Sequence, residues 1–144
     1  MSKYPACFPE NFETDILPKN VHYEPIPVYR IIKSGVINRE GFIGSYEEVL
    51  RGLVQRKTPL DPNKPETYAT SCYVKYSEAK KKLKLFMRYY PTPIIAQGMT
   101  NPSCGPNQLT AEREIGRKDG HVDWWVYEES EPQNSFSEVK KDGQ

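Results

Sequence analysis

Apolar residues along the chain recur with two periods, and each period predicts a different kind of element. Ala79, Leu83, Phe86, Met87 and Tyr90 fall at i, i+4, i+7, i+8 and i+11, the spacing of one helix face, while Lys80, Lys81, Lys82 and Lys84 occupy the other. This spacing predicts a helix over 77–90, with Ser77 as N-cap, Glu78 complementing the positive helix end and Pro91 as the stop. A second helix is expected over 45–55. There Ser45 and Glu48 have the spacing of a capping box, and Val49, Leu50, Leu53 and Val54 form the stripe to be buried.

Strands are expected near 28–33, 67–74, 93–98 and 121–127, where β-branched and aromatic residues run between turn-forming ones. In the first, Arg30 shares a face with Val28 and Ile32. It either lines a cleft or snorkels at a sheet edge, the commoner arrangement in proteins. In the last, Val122, Trp124 and Val126 make an apolar face. His121, Asp123, Trp125 and Tyr127 make a polar-aromatic one that suits either a ligand wall or a half-wetted edge.

Prolines at 5, 9, 18, 25 and 27 restrict residues 1–27 to an extended arm with one helical turn around 11–17, packed through Phe8, Phe12, Ile16 and Leu17. Residues 99–120 carry no clear period. A loop that long has a function or hides an element. Its polar run Thr110 to Glu114 reads more readily as helix than strand. Beyond Glu128, Phe136 and Val139 are candidate anchors, and 137–144 reads as a frayed tail. Together these elements predict a single α+β domain over 1–144: a small, mainly antiparallel sheet, two or more packed helices and long proline-rich loops.

Composition narrows the partners. Twenty Lys and Arg against 19 Asp and Glu leave no broad field to attract nucleic acid or an anionic membrane. A local basic patch on the Lys80–Lys84 face remains, although such a face is usually just solvated. No apolar run approaches the ~20 residues of a membrane span, and the N-terminus lacks the apolar stretch of a signal peptide. Three cysteines, an odd number, fit a reducing compartment, so a cytoplasmic location is expected. Thirteen prolines are offset by 10 Tyr, 5 Phe and 2 Trp, an aromatic content foreign to disordered chains.

Cys7, Cys72, Cys104, His22 and His121 lack the paired spacing of zinc ligands, and no metal is expected. Cys72 or Cys104 with His121 could form a nucleophile–base pair, with buried, inert cysteine the stronger reading. Walker, dinucleotide-fold and nucleophile-elbow motifs are missing from the sequence.

One constellation runs the length of the chain: Tyr29-Arg30 in the first strand, Ala69-Thr70-Ser71 in the second with an alanine-containing helix after it, then Glu112-Arg113-Glu114. In this order the residues resemble the ADP-ribosyltransferase superfamily, over residues 28 to about 128. Ala69 stands where that family usually has serine. The resemblance implies NAD as cofactor and a domain that transfers ADP-ribose or binds the nucleotide without turnover. It places the anionic diphosphate on Arg30 and the nicotinamide end on Ser71 and Thr70, with Tyr29 or Trp125 as stacking partners. Glu114 becomes the catalytic carboxylate and Glu112 the upstream acid; were the late strand 121–127 the relevant one, Glu128 would be the nearest acid. The alternative is a non-enzymatic accessory domain that binds a protein through an aromatic surface of Trp124, Trp125, Tyr127 and nearby tyrosines.

Overall fold

The structure is a computed structural model and describes residues 3–140. It is α+β, as expected. Six strands form one sheet: β1 (Pro27–Ile32), β2 (Thr70–Tyr73), β3 (Ile94–Met99), β4 (Asn107–Leu109), β5 (His121–Trp124) and β6 (Ser137–Glu138). Their order is β4-β5-β2-β1-β3-β6, and every neighbouring pair is antiparallel. Two α-helices accompany the sheet, α1 (Ser45–Leu50) and α2 (Tyr76–Phe86). Among the described residues no helix is long and apolar enough to cross a membrane.

The alternation of side chains along each strand sorts the core into two layers. On one face Val28, Ile32, Cys72, Ala96, Val122 and Trp124 pack with Phe42 and Phe136. On the other, Ile31, Tyr73 and Ile95 lie under Ala79, Leu83 and Phe86 of α2. The arm builds a third cluster, in which Tyr4, Phe8, Phe12 and Ile16 pack on Tyr68 and Trp125. Phe12 sits edge-on to both Tyr4 and Phe8, with centroids 4.9 and 4.8 Å away. Its helical turn covers Phe12–Ile16, as the sequence predicts.

α1 departs from expectation. It spans six residues, and its intended stripe is not buried: Leu50 is 58% and Leu53 44% exposed. Gly52 is the reason. With φ +75 it closes a Schellman motif, its N–H donating to Val49 O and that of Leu53 to Glu48 O, so the helix stops before Leu53 and Val54. The capping box does not form either. Gly44 is the N-cap, the Ser45 N–H donates to Ala69 O, and the Glu48 carboxylate turns to Lys33 and Arg30.

α2 starts at Tyr76 after Lys75, so Ser77 is already helical and does not cap. Glu78 instead accepts from the Gly120 N–H at 2.9 and 3.2 Å, tying the first turn to the loop before β5. The helix ends at Phe86, and Met87 is exposed rather than buried.

The patternless stretch 99–120 hides β4 and two single 3₁₀ turns, Pro102–Cys104 and Thr110–Glu112. β4 pairs with β5, which therefore lies inside the sheet with both faces covered, not at a half-wetted edge. Phe136 anchors the tail as expected, but order runs further than expected, since Ser137–Glu138 pairs with β3. The remainder of the expected fraying, from residue 141 on, lies outside the described residues.

Gly105 shows how closely this region packs. Its φ is +127, and a Cβ there would lie 2.0 Å from Trp125 O. Its own carbonyl accepts from Trp124 Nε1 at 3.0 Å. Gly105→Ala should therefore cost more than about 1 kcal/mol, read as a lowered urea midpoint at unchanged m-value.

Candidate functional site

β1 and β2 share one register pair, Tyr29↔Tyr73, and carry no further pair toward Ile32 and Thr70. A cleft of about 350 Å³ lies at this parting. Ile31 and Lys33 of the β1 end, Ser71 and Tyr73 of β2, and His121 of β5 form its floor. Ser45, Glu48 and Val49 of α1, then Val54 and Arg56, make one wall. Lys82, Phe86 and Tyr90, with Arg117 and Asp119, make the other.

Arg30 also lines the cleft, so it is not an edge residue: β1 lies between β2 and β3, and Arg30 is 5% exposed. Its guanidinium substitutes for the missing ladder. Nε donates to Gly41 O at 3.1 Å, Nη1 donates to Ser71 O at 2.9 Å, and Nη2 stands 3.6 Å from Glu48. The fork that the resemblance reserves for a diphosphate is thus largely committed to the protein itself. Glu48 also receives Lys33 Nζ at 3.0 Å. Burial, helped by the Arg30 charge, pulls the Lys33 amine below the usual lysine range against the opposing pull of Glu48. The Ser71 hydroxyl makes no hydrogen bond among the described residues, and β2 sets its side chain on the cleft face.

The charge at the cleft is uneven. Arg30, Lys33, Arg56, Lys82 and Arg117 face two carboxylates, Glu48 and Asp119. Asp119 is paired with Arg117 at 2.8 Å, a contact that holds its carboxyl below the usual range. Lys82 and Arg56 have no carboxylate partner among the described residues. A chain with a net charge of +1 therefore concentrates positive charge at this one hollow.

On the floor, His121 is oriented by a chain of hydrogen bonds. Thr110 Oγ1 donates to Asp123 Oδ2 at 2.8 Å, and Arg113 Nη2 donates to the same oxygen at 2.6 Å. The single hydroxyl hydrogen of Thr110 is then spent, so its 2.6 Å contact with His121 Nδ1 requires Nδ1 to carry the proton. Hydrogen-bond accounting assigns the tautomer and leaves Nε2 as the acceptor. Burial lowers the His121 pKa below its ordinary 6.5; Arg117 and Lys82 act in the same direction and Asp123 and Asp119 against it. The Tyr73 ring stands edge-on to His121 at 5.4 Å, its phenol pushed up to about 12 by burial.

Of the residues the resemblance selects, the cleft brings Arg30 and Ser71 together and leaves the others elsewhere. Thr70 is buried, with Oγ1 donating to Phe42 O at 2.7 Å. Tyr29 packs edge-on against Tyr76 of α2. Trp125 is fully buried in the arm cluster, its Nε1 donating to Pro65 O at 2.8 Å and Arg113 stacked over its ring. Glu112 meets His22 at 2.9 Å and Glu114 meets Arg117 at 3.2 Å, neither lining the cleft. Glu128 borders a different hollow, beside Tyr4, Phe8 and Tyr127. Trp124 and Trp125 are core, so of the three residues named for the aromatic surface only Tyr127 reaches solvent. Cys72 is fully buried, and burial raises its thiol pKa to about 12, so it is no nucleophile.

Lys33, Glu48, Arg56, Arg117 and Asp119 carry no site signal in the sequence, and Lys82 only as part of the local basic patch on the Lys80–Lys84 face. Lys82 reads from its period as a solvated helix face, and its place above the cleft depends on how α2 docks. Comparison with family models, with curated proteins and with solved structures gives no match for this chain.

Proposed function

We propose that the cleft binds the phosphates of a nucleotide, with NAD as the first ligand to test. The observation that carries this reading is the set of five cationic side chains against two carboxylates around one hollow, including Lys82 and Arg56 without carboxylate partners. A phosphate entering there gains charge-assisted hydrogen bonds and a field concentrated by low-dielectric walls. The free Ser71 hydroxyl supplies an uncharged donor, and Tyr73, Phe86 and Tyr90 supply the flat apolar surface a base or ribose needs. Arg30 serves indirectly, holding the Ser71 strand and the Gly41 loop in place. The reading is confined to nucleotide binding, because Glu112, Glu114 and Glu128 lie outside the cleft and ADP-ribose transfer through them has no geometric support.

Thermal unfolding with and without NAD, ADP-ribose or ATP tests the reading. A ligand that binds the folded state alone adds RT ln(1 + [L]/Kd), about 2.7 kcal/mol at a hundredfold excess over Kd. Wild type should be stabilised. Lys82→Ala, which removes an exposed and unpaired cation, should keep its ligand-free Tm and bind about tenfold more weakly, about 1.4 kcal/mol. A wild-type Tm unchanged by any of the three ligands at millimolar concentration would end the reading.

A further inference from the structure

We propose that His121 is a general base, and that the cleft hydrolyses the phosphoanhydride of the nucleotide it binds. This rests on the nucleotide reading and adds a reaction to it. Arg113 and Thr110 both donate to Asp123 Oδ2, and His121 Nδ1–H donates to Thr110. The ring is held in one tautomer and one orientation, the role an orienting group plays for any catalytic imidazole.

The other ring nitrogen faces the cleft rather than the protein. His121 Nε2 has no partner among the described residues, and the residue lines the cationic cleft. Asp123 Oδ1 is buried without a hydrogen-bond partner and stands 3.8 Å from His121 Nδ1. It is a second acceptor, close to the ring, for the positive charge His121 acquires on taking a proton. The charged and titratable groups around the ring are Asp123 on its own strand, Tyr73 on β2, Lys82 on α2, and Arg117 and Asp119 in the loop before β5. Burial, helped by Arg117 and Lys82, keeps the resting imidazole neutral and so free to accept a proton. The same cations favour the added negative charge of a phosphorus centre under attack.

The step balances. Water loses a proton to His121 Nε2 as its oxygen bonds to phosphorus. The bond from that phosphorus to the bridging oxygen breaks, and its electron pair leaves on the departing phosphate. The proton then passes to solvent. For NAD the products are adenosine and nicotinamide mononucleotides.

The test incubates the full chain with NAD and follows the pyrophosphate signal by phosphorus NMR, with melting curves on the same samples. Wild type should be stabilised by NAD and convert it to the two mononucleotides. The rate should fall in acid through a midpoint below the ordinary histidine 6.5, since protonation removes the acceptor. His121→Asn should still be stabilised by NAD while turnover drops at least about a hundredfold. If His121→Asn melts early without ligand, His121→Gln carries the same comparison. Stabilisation of wild type without mononucleotide formation would overturn the assignment and leave the binding reading standing. An unchanged rate in the variants would also overturn it. Absence of stabilisation would remove both.

Discussion

Arg30→Ala is expected to destabilise the protein by about 3–5 kcal/mol, a large share of what an ordinary domain possesses. The side chain is nearly inaccessible, and three separate groups depend on it. Gly41 O and Ser71 O lose their donors, and the Glu48 carboxylate loses one of its two cations. A buried acceptor stripped of its partner costs the full desolvation of that group, which is why the loss exceeds the net value of the bonds. Arg30→Lys should recover little, because an ammonium cannot reach two carbonyls with the geometry of a planar fork. Urea denaturation of both variants measures this. An Arg30→Ala protein with wild-type stability and abolished NAD stabilisation would reverse the conclusion and return Arg30 to the ligand.

Trp125→Ala should cost a comparable amount, about 3–5 kcal/mol. The indole is fully buried against the arm, and its truncation opens a cavity while freeing Pro65 O from its donor. Trp125→Phe keeps most of the volume and should lie well between the two. The resemblance made Trp125 a stacking partner for the nucleotide, and that role makes the opposite forecast: intact stability and weakened binding. Melting curves with and without NAD distinguish the two in one experiment.

The parts of this fold that could be read from sequence are those governed by local period. β1, β3, β5 and α2 announced themselves because alternation or helical spacing coincides with burial, as for Ile31, Ile95 and Ala79. β4 did not, because Asn107 and Gln108 look like loop residues. Their side chains bond the arm, Asn107 Nδ2 to Glu24 O at 3.1 Å and Gln108 Nε2 to Asn20 Oδ1 at 2.9 Å. Polar groups satisfied partly by residues more than 80 positions away, beside nearer partners in Thr100 and Arg113, leave little local signature. α1 failed for a related reason. Glu48 had two possible partners, the local cap and the distant Lys33 and Arg30, and the distant cations won. Gly52, which ends the helix, lies inside the span that the apolar stripe predicts.

The site divides the same way. Order along the chain was enough to associate Arg30 with Ser71. It was not enough to find His121 with Thr110, Asp123 and Arg113, whose alignment requires the turn after β4 to fold back on β5. Charge composition was misleading in a specific sense: an overall balance of signs concealed their segregation into one hollow.

The arm and the tail have a further consequence, for solubility. His22 bridges to Asn107 on the outer side of β4, and the two-residue β6 covers β3 on the opposite side. Open strand edges are templates for adding strands from other molecules, and covered or very short ones are not. Both flanks of this sheet are closed by segments remote from its centre in sequence, so a protease that nicks either segment would convert a self-limited sheet into one able to grow by aggregation.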